Sequence, residues 1–307
     1  MVLLSSVIQS STWQLFTNID TVFGQLFNTW VTILFFTIIL CFVVGELTSN
    51  FSQVDKIWSL MPIVYSLITL SAFPSSPRIW LMSMLVAIWG LRLSYNFYRK
   101  GGYNIIPWKG EEDYRWSILR DHPMLKKRTR ITLFNLFFIS FYQQTLILLF
   151  STPLLLAAKN AEVGLNGLDY LAAAFMFLFI FIETIADNQL YNFHLQKQNK
   201  IPHDNKFSNS LNKGFMMDGL WKHVRHPNFT AEQSIWVSFY FFGVAASGQW
   251  FNWTLTGPVL LILLFAGSSS FTESISKRKY PFYENYILKV PKFIPLRLKS
   301  KQEQHSK

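Results

Sequence analysis

Charge, cysteine and histidine are all scarce in this chain of 307 residues. Only 15% of the residues are Asp, Glu, Lys or Arg, against about 25% in an ordinary soluble domain, which argues against a water-solvated surface on all sides. One cysteine, Cys41, sits inside an apolar run. An internal disulfide and a thiolate metal cluster are therefore excluded, and the redox compartment is unreadable from cysteine. The six histidines, of which only His223 and His226 are close, are too few for the clustered site of a membrane di-iron enzyme, and no metal is expected. Glycine-rich phosphate loops and H-E-x-x-H are missing, which excludes the common soluble nucleotide-binding domains. No Lys or Arg precedes Lys56, so a cleaved signal peptide is not expected and the first apolar segment is expected to stay as an anchor.

Apolar and aromatic residues are abundant. Half of the chain is apolar and 17% aromatic, with 30 Phe and 11 Trp, a load that excludes a disordered chain. A helix crossing about 30 Å of hydrocarbon needs roughly 20 mostly apolar residues. Runs of about that kind occur at 30–47, 57–73, 79–98, 131–158, 168–187, 231–248 and 255–272. They predict an all-α polytopic membrane bundle of seven spans. The 131–158 run, with Gln143, Gln144 and Pro153 inside it, is expected to be one kinked or tilted helix. The implied layout is an extramembrane segment over 1–29, a membrane domain over 30–298 and a polar tail over 299–307.

The formal charge of +11 tests that layout, because Lys and Arg favour the cytoplasmic side in short loops. With the N-terminus outside and the C-terminus cytosolic, 25 of the 28 cations fall on the inner side. Arg78 and Lys159 fall outside, and Arg92 lies within a span. The long apolar runs argue against a nucleic-acid partner. Anionic headgroups or an anionic cofactor suit the basic side better.

The most informative stretch is Gly219–Trp236, which runs into the sixth span. Pro227 suits a first helical turn, whose open N–H groups attract anions. Arg225, His226 and Asn228 add donors there, and Glu232 lies one turn further on the same face. The bland reading is interfacial anchoring, with Trp221 and Trp236 in an aromatic belt; it leaves Glu232, a carboxylate on a span, without a purpose. Glu183 and Asp187, four apart near the end of the fifth span, repel unless a cation, a proton or a hydroxylated ligand lies between them; Arg225 or a ribose would serve. In the third span Arg92, Asn96 and Arg99 share a face with Tyr95, a possible hydrogen-bond donor to a carbonyl. Arg92 faces either a partner or the interface by snorkelling. Asp55 and Lys56 read as an interface pair, Trp58 as a belt residue, and Glu46 as either a proton donor or a solvated helix end.

Five elements occur in order: Asp55-x-x-Trp58-Ser59-x-x-Pro62, Trp89-Gly90-x-Arg92-Leu93, Asp113-Tyr114-Arg115, Arg225-His226-Pro227-Asn228-Phe229-x-x-Glu232, and Tyr283-x-x-Tyr286 with Phe293-Ile294-Pro295. On these, the chain resembles over roughly residues 50–296 the DUF1295 membrane proteins, relatives of the steroid 5-alpha-reductases and sterol reductases. The resemblance implies a seven-helix fold and an NADPH-dependent reductase of a carbon–carbon double bond in a sterol- or lipid-like enone, in an endoplasmic reticulum or similar internal membrane. It implies cofactor contacts from Arg92, Asp187, Arg225, His226, Asn228 and Glu232. Tyr95, Glu46 or Glu183 would donate to the carbonyl oxygen, on which negative charge grows during reduction. The family motif usually reads Asn-Tyr-Phe-Gly-Glu; Phe229, Thr230 and Ala231 depart from it, removing a phenolic hydroxyl and a glycine. A rival enzyme is an isoprenylcysteine carboxyl methyltransferase-like protein using S-adenosylmethionine. A third reading is a non-catalytic lipid-binding or scaffold protein.

Overall fold

The computed structural model of the protein describes residues 21–106 and 108–295, and every regular element among them is helical. Helix α1 (Val22–Thr48) begins at Val22 rather than Trp30, because the Thr21 side chain accepts a hydrogen bond from Gly24 N at 3.0 Å and so satisfies a donor of the first turn. The expected border between 29 and 30 thus falls inside α1. The rest of the extramembrane segment, 1–20, and the tail from 299 lie outside the described residues. Phe35, Phe36, Leu40 and Leu47 of α1 are exposed, an apolar surface more suited to hydrocarbon than to water.

After α2 (Gln53–Trp58) come α3 (Leu60–Ala72) and α4 (Pro77–Arg99), which pack extensively on each other. Gly90 permits this: a Cβ there would lie 2.6 Å from Ser59 O and from Ile63. The Trp-Gly-x-Arg-Leu element is therefore in part a helix-packing device. A short α5 (Tyr114–Arg120) precedes the long run. That run is a succession of α6 (Arg128–Phe134), a π-helical stretch (Asn135–Tyr142), α7 (Gln143–Ser151) and α8 (Pro153–Lys159). Pro153 opens α8 where it has no N–H to give to the preceding turn, so the helix breaks there as well as widening at the π-helical stretch.

The remaining helices are α9 (Gly167–Lys197), α10 (Ser208–Lys213), α11 (Pro227–Ser247), α12 (Thr256–Lys279) and α13 (Tyr283–Lys289). Among the described residues, Val22–Thr48, Arg128–Ser151, Gly167–Lys197 and Trp253–Lys279 are long and apolar enough to cross a membrane, as in an integral membrane protein. The other three runs are helical too. However, α3 has 13 residues, while α4 and α11 carry Arg92, Asn96 and Arg99, and Asn228, Glu232 and Gln233.

The chain divides into two units, residues 1–176 with 236–261 and residues 177–235 with 262–307. Aromatic rings fill the core of the first. Phe150 and Trp89 pack on Trp236 with ring centroids 4.0 and 4.8 Å away. Trp236 is fully buried, so it is a core residue and not part of a belt. The same holds in the second unit for Trp221, buried with Phe193, Phe207 and Met216.

Arg78, expected in an outer loop, is 0% exposed in the first unit and so is Asp169. Arg78 Nε and Nη2 donate to the two Asp169 oxygens at 2.7 and 2.9 Å, and Nη1 and Nη2 donate to the Val163 and Gly164 carbonyls at 2.8 Å. The pair ties the start of α4 to the start of α9. Breaking one side strands a charge, so Arg78→Leu and Asp169→Leu are each expected to cost about 3–5 kcal/mol. The double variant is expected to cost less than their sum, as measured by thermal unfolding in detergent.

Candidate functional site

The first unit holds the Asp55 motif, and here the side chains of α2 organise the segment that leads into α5. Asn50 Nδ2, Gln53 Nε2 and Lys56 Nζ donate to the carbonyls of Gly110, Trp108 and Lys109 at 3.1, 3.2 and 2.8 Å. Tyr103 OH donates to Lys56 O at 2.7 Å. Asp55 accepts from Trp116 Nε1 at 3.1 Å. Asp55 and Lys56 are therefore not an interface pair: Lys56 is buried and serves the loop at Lys109, whereas Asp55 serves Trp116 of α5. Asp113 caps α5 through Arg115 N (2.9 Å) and also accepts from the Arg115 guanidinium at 2.9 and 2.8 Å, which explains the Asp-Tyr-Arg spacing. Burial and the neighbouring Asp113 carboxylate push the Asp55 carboxyl above the ordinary range, against Arg115, Ser52 and Trp116. Burial acts in the same direction on Asp113, but hydrogen bonds and charge from Arg115, with Lys100, outweigh it and hold Asp113 low.

Three more of the expected site residues belong to this unit. Glu46 accepts from Arg128 Nη2 (2.6 Å), Thr132 Oγ1 (3.0 Å) and Asn135 Nδ2 (2.8 Å). It is spent on fastening α1 to α6 and the π-helical stretch. Tyr95 is 63% exposed on α4, with the Arg99 guanidinium over its ring at 5.7 Å. Arg92 is half-buried, with Nε and Nη2 shielded from solvent.

The second unit gathers the others. Helix α9 continues to Lys197, so Glu183 and Asp187 lie within it rather than at its end, 4% and 3% exposed. From the first turn of α11, Asn228 Nδ2 donates to Asp187 Oδ1 at 3.4 Å. Asn228 Oδ1 is buried and meets no protein donor. Glu232, one turn along, is buried. At Gly219, φ is +63° and a Cβ would lie 2.5 Å from Gln189 Oε1. Only glycine lets Gln189 receive Leu220 N there, at 2.9 Å.

Arg225 does not lie between Glu183 and Asp187 as their shared cation. Its Nε and Nη2 donate to Glu273 Oε1 and Oε2 at 2.7 and 3.4 Å, and its Nη1 donates to Ile287 O (3.1 Å) and to Val290 O. Glu273 offers both carboxylate oxygens to the fork, an arrangement that favours arginine. His226 Nε2 hydrogen-bonds the same Glu273 Oε1 at 2.9 Å. The main-chain N–H groups of Arg225 and His226, just ahead of α11, donate to Pro291 O and Lys292 O at 2.9 and 3.2 Å. Glu273 escaped the sequence reading although it follows the seventh apolar run by one residue, where a lone carboxylate is a signal. Among the described residues no group of three or more His, Cys, Asp or Glu is placed to hold a metal ion.

The family described as "Protein of unknown function (DUF1295)" matches residues 41–290. The chain belongs to that family. It is also 36% identical over 277 residues to an uncharacterized protein of Schizosaccharomyces pombe, covering 84% of this chain and 78% of the relative. No solved structure matches. The DUF1295 match runs from Cys41 in α1 to Val290, and so includes the Asp55 and Asp113 cluster as well as Asn228, Glu232 and Glu273.

The two carboxylates of that cluster have opposite pH signatures. A raised Asp55 gives stability that is full below the unfolded value of 3.8 and is lost as pH rises through its folded pKa. A lowered Asp113 gives stability that is present above 3.8 and is lost as pH falls through its folded pKa. Asp55→Asn should thus gain on wild type as pH rises from about 4 to 8. Asp113→Asn should lose about 1.5–3 kcal/mol at neutral pH, a deficit that shrinks in acid. Melting of both variants across that range measures the signs.

Proposed function

We propose that this DUF1295 protein is a membrane-embedded, NADPH-dependent reductase of a carbon–carbon double bond conjugated to a carbonyl in a sterol- or lipid-like substrate. In this reading the chain crosses an internal membrane, such as the endoplasmic reticulum, seven times, with the N-terminus lumenal and the C-terminus cytosolic. The observation that carries it is the pairing of half-buried Asn228 with buried Asp187, with the buried Asn228 Oδ1 still open. A buried acceptor left unmet costs free energy, so the site favours a ligand rich in donors. Ribose hydroxyls and a carboxamide N–H fit that requirement. The phosphates do not fit Arg225 and His226 as these are arranged, because Glu273 and backbone carbonyls occupy their donors.

When bound, NADPH supplies the hydride. Asp187 holds the Asn228 amide by its N–H so that the carbonyl end faces the ligand, and Glu232 adds a second acceptor one turn along α11. Negative charge growing on the substrate carbonyl needs a donor. Of the three candidates, Glu46 is engaged by three side chains and Tyr95 is an exposed hydroxyl. Glu183, which shares a unit with Asn228 and is buried, is the candidate retained for that role.

The open Asn228 oxygen and the acidic residues of this unit would also suit the ribose and the cationic end of S-adenosylmethionine, which keeps the methyltransferase as the second reading. Calorimetry on the protein in nanodiscs separates them. NADPH should bind, and Asn228→Ala and Glu232→Gln should each weaken it about tenfold, the worth of one buried hydrogen bond, with melting unchanged. Heat with S-adenosylmethionine and none with NADPH would transfer the conclusion to the methyltransferase. Silence with both, in a folded protein, would leave the lipid-binding scaffold.

A further inference from the structure

We propose that Arg225, His226 and Glu273 are positioning residues that fasten the C-terminal segment Ile287–Phe293 as a strap across the start of α11, and that this strap holds Asn228 in place against Asp187. The inference rests on the reductase reading only for its nucleotide readout.

Arg225 has five N–H groups, and four of them are used inside the protein, two on Glu273 and two on the Ile287 and Val290 carbonyls. The Arg225 and His226 main-chain N–H groups pair with Pro291 O and Lys292 O. Beyond Asn228, Thr230 Oγ1 bonds both His226 O and Phe293 O at 3.0 Å. Lys292 Nζ donates to Ser270 Oγ at 2.8 Å, and Tyr286 OH donates to Trp221 O. The Phe293 ring lies against His226, with centroids 6.1 Å apart. Bonds to the strap thus lie on both sides of Asn228, and Pro227 between them has a fixed φ.

A helix start with an arginine and a histidine would ordinarily receive an anion. Here the chain fills that place with its own carbonyls, and Glu273 balances the guanidinium. With one N–H left over, Arg225 could grip a phosphate through two N–H groups only by leaving Glu273 or a strap carbonyl. Its role is therefore exerted through Asn228 and not by touching a ligand.

The two roles make opposite predictions for Glu273→Gln. If Arg225 bound phosphate, removing the neighbouring negative charge would tighten NADPH. If Arg225 and Glu273 hold the strap, the substitution weakens NADPH and NADH by the same factor, since the 2′-phosphate plays no part. Hydrogen exchange of full-length protein in nanodiscs, with calorimetry for both nucleotides, is the test on Glu273→Gln, Arg225→Gln, Arg225→Lys and the mild Thr230→Val. Exchange at 287–293 and at 225–232 should rise about tenfold in Glu273→Gln and Arg225→Gln, with a smaller rise in Thr230→Val, and Arg225→Lys should recover part of the loss. Unchanged strap exchange, unchanged affinity with a loosened strap, or a loss confined to NADPH would each overturn the proposal. If wild type binds neither nucleotide, the reductase reading fails alone. The strap is then judged by whether loosening 287–293 also loosens 225–232, and independence of the two segments refutes it.

Discussion

Hydrocarbon supplies no hydrogen-bonding partner, so every charge folded among these helices has to be met by the chain itself. Arg78 shows the requirement fulfilled with nothing left over. One carboxylate and two carbonyls receive its guanidinium, and neither Arg78 nor Asp169 is exposed. Arg225 follows the same rule with Glu273 and the Ile287 and Val290 carbonyls. In both cases a residue that looks available in the sequence is already committed, and what it commits is a loop or a terminal segment to a helix end.

That commitment shapes the candidate site. Once Arg225 and His226 are taken by Glu273, what stays open at the start of α11 is an acceptor, the buried oxygen of Asn228, whose amide nitrogen is held by Asp187. A site of that composition selects for a ligand that brings its own N–H and O–H groups. The sequence spacing of Asn228 and Glu232 pointed to the same face of the same helix, and the geometry adds that the partner of Asn228 comes from α9. The reductase and methyltransferase readings both survive this description because both ligands carry a ribose. They part over which charge the rest of the molecule bears.

The helices were legible in the sequence because apolar runs of crossing length have few other uses, and the expected runs all became helical. Their ends were less legible. The start of α1 turns on a single cap at Thr21, and the continuation of α9 to Lys197 mixes Leu190, Phe193 and Leu195 with polar residues, which interrupts the continuous apolar run that marks a span. Pairings across the chain were hidden for a simpler reason. Arg78 and Asp169 are 91 residues apart, and Arg225 and Glu273 are 48 apart, so no local period connects them. The tryptophans misled in the other direction: Trp221 precedes the sixth run and Trp236 lies in its first turns, near where belt residues sit, yet both pack in cores. Asp55 and Lys56 were read as a pair because they are adjacent, whereas adjacent residues on a helix diverge and here one serves Trp116 of α5 and the other the Lys109 carbonyl.

The departures at Phe229, Thr230 and Ala231 take on a different sense in the structure. Phe229 stacks on His226 with ring centroids 5.4 Å apart and meets Phe265 edge-on at 4.7 Å. Thr230 supplies a hydroxyl to the carbonyl of Phe293, and Ala231 is buried where a larger side chain would need room. Each of the three is therefore in use for packing or for holding the C-terminal segment. A chain that had merely lost its chemistry would be free to drift at these positions and at the acceptors beside them. Beside them the Asn228 side-chain oxygen is buried and meets no protein donor, and burying that acceptor carries a free-energy cost that packing alone does not require. That cost is the physical argument for a ligand.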